Sequence, residues 1–111
     1  MTVEEAYETL AAYALACVGE KDWDFLTVKS DIYEQMSSSK VVLTIKNEDH
    51  SLKQSSVPFA LSNDRNIATL FLRDNLLETT GERIWGMNFS LAKDGKMKIN
   101  YSYDKPDNYP G

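Results

Sequence analysis

Candidate catalytic or metal-binding groups are sparse in this sequence, and each has a simpler explanation. His50 is the only histidine, and the flanking Glu48, Asp49 and Ser51 are typical of an exposed turn rather than a metal site. Cys17 lies on the apolar stripe of a predicted helix, so we interpret it as a small buried residue and not as a nucleophile. The five glycines are scattered singly and form no phosphate-binding loop. We therefore predict neither a cofactor nor a bound metal.

Carboxylates are the most abundant charged groups, with 17 Asp and Glu against 12 Lys and Arg and a formal net charge of -5. A catalytic acid and base have the same sequence signature as a solvated acidic surface, and we favour the acidic surface. Negative charge argues against direct binding to the phosphate backbone of nucleic acids and favours a basic partner. Trp23 and Trp85 are interpreted as core aromatics rather than as a ligand site. The composition thus favours a binding protein over an enzyme.

The most regular pattern in the chain, at residues 83–104, predicts a long β-hairpin. A two-residue Asp94-Gly95 loop would put the apolar sets of the two arms on opposite faces, since a slip of one residue reverses every side chain. We therefore predict a three-residue loop, residues 93–95, that pairs Leu91 with Met97 and holds Gly95 in a left-handed conformation. One face would then carry eight large side chains that need a cover: Trp85, Met87, Phe89, Leu91, Met97, Ile99, Tyr101 and Tyr103.

Two segments have the spacing of amphipathic helices. Thr2 and Glu5 form a capping-box pattern, and the first helix is expected to run from there to Gly19. Its apolar stripe consists of Val3, Tyr7, Leu10, Ala14 and Cys17. The second helix is predicted to be capped within residues 62–64 and to end near Gly81. Its stripe consists of Ile67, Leu70, Phe71 and Leu77.

Three further strands are predicted between these helices. Residues 25–36 alternate, with Leu26, Val28, Ile32 and Met36 on one side, and residues 37–39 form a polar turn. Val41, Leu43 and Ile45 continue the same apolar face across a two- or four-residue loop. The next turn is predicted at residues 47–50. It leads to a strand over residues 52–59, whose Pro58 favours a sheet edge or a strand end.

The resulting order, α-β-β-β-α-β-β, indicates an α+β domain with a five-stranded, mainly antiparallel sheet and two helices on one face. The length fits a single domain over residues 1–111, with residues 105–111 as a loose tail. The apolar run from Leu10 to Val18 is too short to span a bilayer. Acidic residues precede it where an export signal carries positive charge, so we expect no signal peptide. A single cysteine gives no indication of a disulfide-stapled secreted domain.

The predicted hairpin resembles the closing segment of the YezG-type immunity proteins. Those proteins have a Trp followed by alternating hydrophobic residues, then Gly-Lys, an alternating strand and Tyr-Asp or Tyr-Glu. Trp23 after the first helix and the second helix before Trp85 also occupy the positions that the family gives them. The matching stretches read Trp85-Gly86-Met87-Asn88-Phe89-Ser90-Leu91 and Asp94-Gly95-Lys96-Met97-Lys98-Ile99-Asn100-Tyr101-Ser102-Tyr103-Asp104.

The resemblance implies a cytoplasmic antitoxin of a bacterial polymorphic-toxin or contact-dependent growth-inhibition system. Such a protein is not an enzyme. It binds and blocks a cognate toxin domain, and a basic nuclease is the expected target here. The alternative from the residues alone is a non-enzymatic adaptor, or an α+β module that binds a small ligand in a pocket between helices and sheet.

Strand alternation separates the charged residues into two surfaces. The sheet face away from the helices is predicted to carry Lys29, Asp31, Tyr33, Thr44, Lys46, Asn88, Ser90, Lys98, Asn100 and Ser102, which include too many lysines to meet a basic partner. In a meander, the start of the first strand and the turn after the second lie at the same end of the sheet. The expected toxin contacts are therefore Asp22, Asp24, Glu48, Asp49, Asp104 and Asp107, with Tyr109 as an aromatic anchor. Asp104 joins the others only if the strand order brings it to that end. The alternative is that all of these are solvated charges at loop ends.

Overall fold

A computed structural model describes residues 1–53 and 57–105 and shows the predicted element order. The helices are α1 (Val3–Val18) and α2 (Phe59–Thr80), and the strands are β1 (Phe25–Ile32), β2 (Ser37–Ile45), β3 (Glu48–Leu52), β4 (Gly86–Ala92) and β5 (Met97–Ser102). All five strands form one antiparallel sheet in the order β3-β2-β1-β4-β5. Both helices pack on one face of it, which confirms the α+β prediction.

Helix α1 begins at the predicted capping box. The backbone N–H of Thr2 donates to Glu5 Oε1 over 2.9 Å, and the backbone N–H of Glu5 donates to Thr2 Oγ1 over 3.1 Å. These two bonds satisfy amide donors that the first turn of a helix leaves open. Gly19 ends the helix with a positive φ of 58°. The buried face carries Ala6, Leu10, Ala11, Tyr13, Ala14, Cys17 and Val18, and its alanines let the helix approach the sheet closely.

Strand β1 lies at the centre of the sheet and alternates as predicted. Leu26, Val28 and Ile32 are buried toward the helices. The neighbouring strands are in phase with them, because Val28 is opposite both Val41 and Phe89. The core therefore forms between the helices and three adjacent strands.

The β4–β5 hairpin has the predicted three-residue loop. Leu91 is opposite Met97, and Gly95 has a φ of 91°. The prediction that the whole apolar face is covered is wrong at three positions. Trp85 was interpreted as a core aromatic, but its half-buried ring lies outside the core, with the Arg83 guanidinium 4.1 Å from the ring centroid. Met97 and Tyr103 are exposed, because β5 is the edge strand and the helices reach only partly across it.

The predicted turn at residues 37–39 is wrong. Ile32 is opposite Ser37, and the turn occupies residues 33–36, closed by a 2.8 Å bond from the N–H of Tyr33 to the carbonyl of Met36. Met36 was expected on the apolar face, but it lies in this turn and is 55% exposed. Ser37 lies in β2 because Asn66 of α2 accepts from both its backbone N–H (2.7 Å) and its hydroxyl (2.8 Å).

The turn between β2 and β3 is shorter than predicted. It consists of Lys46 and Asn47, which both have positive φ (51° and 65°), as in the two-residue turns that suit antiparallel hairpins. Strand β3 therefore begins at Glu48, directly opposite Ile45. The predicted strand over residues 52–59 is wrong at both of its ends, because β3 stops at Leu52 and Phe59 already belongs to α2; residues 54–56 lie outside the described residues.

Helix α2 begins before the predicted capping residues 62–64. Pro58 precedes its first residue, Phe59, and the carbonyl of Pro58 accepts from the backbone N–H of Leu61 at 3.0 Å. Proline is well suited to a helix start, because the first amides have no acceptor within the helix. The helix ends at the left-handed Gly81, as predicted.

The face that α2 buries also differs from the predicted one. Ile67 and Leu77 are exposed. The fully buried positions are Arg65, Ala68, Thr69 and Leu72. Leu70 and Phe71 of the predicted stripe are partly buried against the core. Helix α2 therefore docks through a face that mixes polar, small and apolar residues, and hydrophobic periodicity does not reveal its polar part. Neither helix in the described part of the chain is long and apolar enough to cross a bilayer.

Arg65 is the charged group at the centre of this docking face and is only 7% exposed. Its Nη1 donates to Ser37 Oγ over 2.9 Å, and Nη2 donates to the Ser37 carbonyl over 3.3 Å. The guanidinium also lies over the Tyr13 ring, 5.5 Å from its centroid. Burial lowers the pKa of Arg65. One side chain thus joins α2 to α1 and to the start of β2.

Arg73 makes a second tie from α2, two turns further along. Its Nη1 donates to the carbonyls of Tyr33 and Glu34, each over 2.7 Å. These are backbone groups of the β1–β2 turn that would otherwise need water. The two arginines together hold this turn and the start of β2 against the helix.

We expect Gly95→Val to lower the free energy of unfolding by roughly 1–3 kcal/mol. A Cβ at this position would meet no other atom within 4 Å, so the loss comes from backbone strain at positive φ alone. Urea denaturation measures it. Lys98→Val, on the exposed side of β5, is the control and should stay near the parent. A parental urea midpoint for Gly95→Val would contradict the turn assignment.

We expect Arg65→Lys to destabilise the fold by about 2 kcal/mol, because lysine lacks the planar fork that bonds Ser37 and lies over Tyr13. Thermal or urea unfolding checks this. Asp64→Ala, at the adjacent exposed position of α2, should change stability by less than about 0.5 kcal/mol. Equal stability of Arg65→Lys and the parent would show that the buried arginine is not what holds α2.

Candidate functional site

Four of the predicted contact residues come together at one end of the sheet. Asp22 and Asp24 lie in the connection from α1 to β1, and Glu48 and Asp49 begin β3. Phe25 is opposite Thr44 and Ile45 is opposite Glu48, so these two segments meet across the end of β2. We call the group Asp22, Asp24, Glu48 and Asp49 the acidic end.

Asp22 forms an exposed ion pair with the β4–β5 turn. Its Oδ1 lies 2.8 Å from Lys93 Nζ and also accepts from the backbone N–H of Trp23 at 3.0 Å. The hydrogen bond from Lys93 is the main reason that the pKa of Asp22 is lowered. Both side chains are mostly exposed to solvent, so water screens the pair and an incoming charged group can replace either member.

Asp24 has a structural role at the same place. Its Oδ2 accepts from the backbone N–H of Lys46 over 2.9 Å, and its backbone N–H donates to the carbonyl of Thr44 over 2.8 Å. Its own carbonyl accepts from the N–H of Lys93 over 3.1 Å. Asp24 thus fastens the strained Lys46–Asn47 turn and the β4–β5 turn to the start of β1.

Glu48 and Asp49 occupy strand positions and not the predicted turn. Asp49 Oδ1 accepts from Thr44 Oγ1 over 2.6 Å on the sheet face away from the helices. Glu48 Oε2 lies 3.9 Å from His50 Nε2, and both side chains are exposed. Of these four acidic side chains, Glu48 therefore makes the weakest contact with the rest of the protein.

The remaining predicted contacts do not join this group. Asp104 follows β5, whose end lies beside Gly86 at the start of β4. That is the opposite end of the sheet, about 20 Å away at some 3.3 Å per strand residue. The idea that Asp104 completes the acidic end is therefore wrong, because the strand order puts the Gly95 turn there instead. Asp107 and Tyr109 lie outside the described residues.

Lysines that sequence analysis did not assign to this end reduce its negative charge. Lys93 and Lys96 come from the β4–β5 turn, and Lys96 Nζ lies 3.8 Å from Asp94 Oδ2. Lys46 extends from the β2–β3 turn. In the sequence, the pairing of Leu91 with Met97 places Lys93 and Lys96 at the β4–β5 turn. It does not place that turn beside Asp22, because this depends on β4 lying next to β1.

The sheet face away from the helices, which we call the open face, is largely polar as predicted. The row across its middle consists of Lys40, Lys29, Asn88 and Asn100, each opposite the next. Tyr33 and Lys46 were expected on this face but lie in turns. Phe25 is exposed on it beside Ala92, next to the acidic end.

Cys17 and the described His, Asp and Glu residues are groups that could bind a metal ion or act as a nucleophile. No three His, Cys, Asp or Glu side chains of residues 1–53 and 57–105 are arranged to hold a metal ion. The Cys17 thiol is buried as predicted, and burial raises its pKa, which keeps it protonated and poorly nucleophilic at neutral pH. Trp23 packs partly buried against the core, also as predicted.

No family model matches the chain, and no curated protein matches it.

We expect Asp24→Ala to lower the free energy of unfolding by about 1 kcal/mol through loss of the bond to the Lys46 amide. Hydrogen exchange of that amide should become faster. Asp24→Asn retains an acceptor oxygen and should restore slow exchange, and Glu48→Ala should leave it unchanged. Slow exchange in Asp24→Ala would mean that the carboxylate does not fasten the turn.

Proposed function

We propose that this protein is a cytoplasmic immunity protein that binds and neutralises a cognate toxin domain, with a basic nuclease as the expected target. The observation that carries the proposal is the convergence of Asp22, Asp24, Glu48 and Asp49 from two separate segments onto one sheet end. The resemblance of residues 85–104 to YezG-type immunity proteins supports it as well.

The contacts within the acidic end suggest how it would receive a basic partner. The Asp24 carboxylate already accepts a hydrogen bond from the Lys46 amide of the turn. It therefore adds negative charge to the acidic end but is not a free group that a partner can contact. Asp22 and Glu48 are exposed: Asp22 pairs with Lys93 and accepts from the Trp23 amide, and Glu48 lies 3.9 Å from His50. An arginine or lysine of a partner can replace Lys93 beside Asp22 at little cost, because exposed ion pairs contribute at most about 1 kcal/mol.

The net charge of -5 supports the same partner class. An acidic inhibitor and a cationic nuclease attract each other before contact, which raises the association rate at low ionic strength. Exposed Phe25, beside the acidic end, offers apolar area of the kind that anchors an interface.

The test measures the affinity for the toxin domain that is encoded beside this protein. The parent is compared with two double charge-reversal variants that have the same net charge as each other. Asp22→Lys with Glu48→Lys alters the acidic end and avoids Asp24. Glu78→Lys with Glu82→Lys makes the same change at the end of α2, at the other end of the sheet. We expect the first pair to weaken the complex by about tenfold or more and to reduce protection from the toxin, since each lost charge contact is worth about 1 kcal/mol or more.

The control pair should bind nearly as the parent does. Association of the parent should also slow between about 0.05 and 0.5 M salt, because the screening length shortens severalfold. Full protection by the Asp22→Lys, Glu48→Lys variant would move the contact surface elsewhere, and the absence of any complex would overturn the proposed function.

A further inference from the structure

Two lysines lie directly opposite each other in the middle of the open face. Lys29 of β1 is paired with Lys40 of β2, and both side chains are exposed. Among residues 1–53 and 57–105, no carboxylate forms an ion pair with either of them. Like charges at directly opposite positions destabilise a sheet, so folding alone does not explain this pair.

Hydrogen-bonding side chains continue the row on the other side of Lys29. Asn88 of β4 is opposite Lys29, and Asn100 of β5 is opposite Asn88. The row therefore presents two ammonium groups and then two amides along a line that crosses four strands. We call Lys40, Lys29, Asn88 and Asn100 the donor row.

A depression of about 460 Å³ lies along this row and beyond it, toward the β1–β2 turn. Gly86 lines it, and an added Cβ there would lie only 3.3 Å from both Ser102 Cβ and the Ser30 carbonyl oxygen. Ser38 and Ser102, both small, line its sides. The volume is in the range of small-molecule sites, about 300–1,000 Å³.

Asp31 is the carboxylate of this depression. It follows Lys29 on the same strand face, where it is opposite Gly86 and Ser38. The charged groups lining the depression are thus two cations and one anion, and the rest of the lining combines hydroxyls and amides with the side chains of Trp85, Met87 and Tyr101. Such a set suits a ligand that combines one strong anion with hydrogen-bond donors.

We propose that the depression binds a small phosphate ester that carries hydroxyl groups, of the sugar-phosphate class. The phosphate lies between Lys29 and Lys40, where it relieves their mutual repulsion. Its hydroxyls donate to Asp31 and bond to Ser38, Asn88 and Ser102. A polyanion such as nucleic acid is disfavoured, because a chain with a net charge of -5 repels it beyond the two lysines. This inference is independent of the proposed toxin binding.

The test is calorimetric titration with ribose 5-phosphate, ribose, inorganic phosphate and a single-stranded oligonucleotide. We expect ribose 5-phosphate to bind, inorganic phosphate to bind more weakly, and ribose not to bind. Lys40→Gln should weaken ribose 5-phosphate about tenfold or more, since it removes a charge-assisted hydrogen bond. Lys40→Gln should also unfold at the same temperature as the parent or slightly higher, because it removes the like-charge pair.

Lys98→Gln is the matched control, since Lys98 is an exposed lysine of the same face that does not line the depression. It should bind ribose 5-phosphate as the parent does. Equal weakening by Lys98→Gln and Lys40→Gln would overturn the site, because it would indicate unspecific attraction. Tighter binding of the oligonucleotide than of ribose 5-phosphate would overturn the ligand class, and absence of ribose 5-phosphate binding at millimolar concentration would overturn the inference.

Discussion

The register of β1 with its two neighbours decides what each surface of this protein carries. Strand β1 is central and pairs with β2 on one side and β4 on the other. Because strand side chains alternate, placing Leu26, Val28 and Ile32 under the helices leaves Lys29 and Asp31 on the open face. A slip of one residue would bury the charged set, so the core holds the donor row in place.

Polar contacts join α2 to this sheet, while apolar packing dominates under α1. Arg65 is buried without an ion-pairing carboxylate in the described part of the chain, and Ser37 and the face of Tyr13 surround it. Such a group is costly to desolvate, and the two bonds from its Nη atoms to Ser37 offset part of that cost. Asn66 and Arg73 also join α2 to the sheet, because Asn66 hydrogen-bonds to the start of β2 and Arg73 to the turn before it. These bonds are directional and fix where β2 begins, which explains why three serines lie in a strand.

The charged surfaces of the protein are separated by the same topology. The acidic end gathers carboxylates from the α1–β1 connection and the β2–β3 hairpin, and the lysines of the β4–β5 turn join it. The donor row lies on the open face and carries the opposite charge. The proposed basic protein would therefore contact the acidic end, and the proposed small anion would contact the donor row. The two ligands would not compete for the same residues.

The sequence by itself determined the elements whose signals are local. The capping box of α1, the alternation of β1 and the three-residue loop before Met97 depend on neighbours within a few residues, and all three are confirmed. Tertiary structure decided the rest. The buried face of α2, the position of Ser37 and the fastening of Asp24 to the Lys46 turn depend on polar bonds between segments distant in sequence. Hydrophobic periodicity does not register such bonds. The strand order likewise excluded Asp104 from the acidic end and brought Lys93 to Asp22, because which strands become neighbours is settled by packing of the whole core.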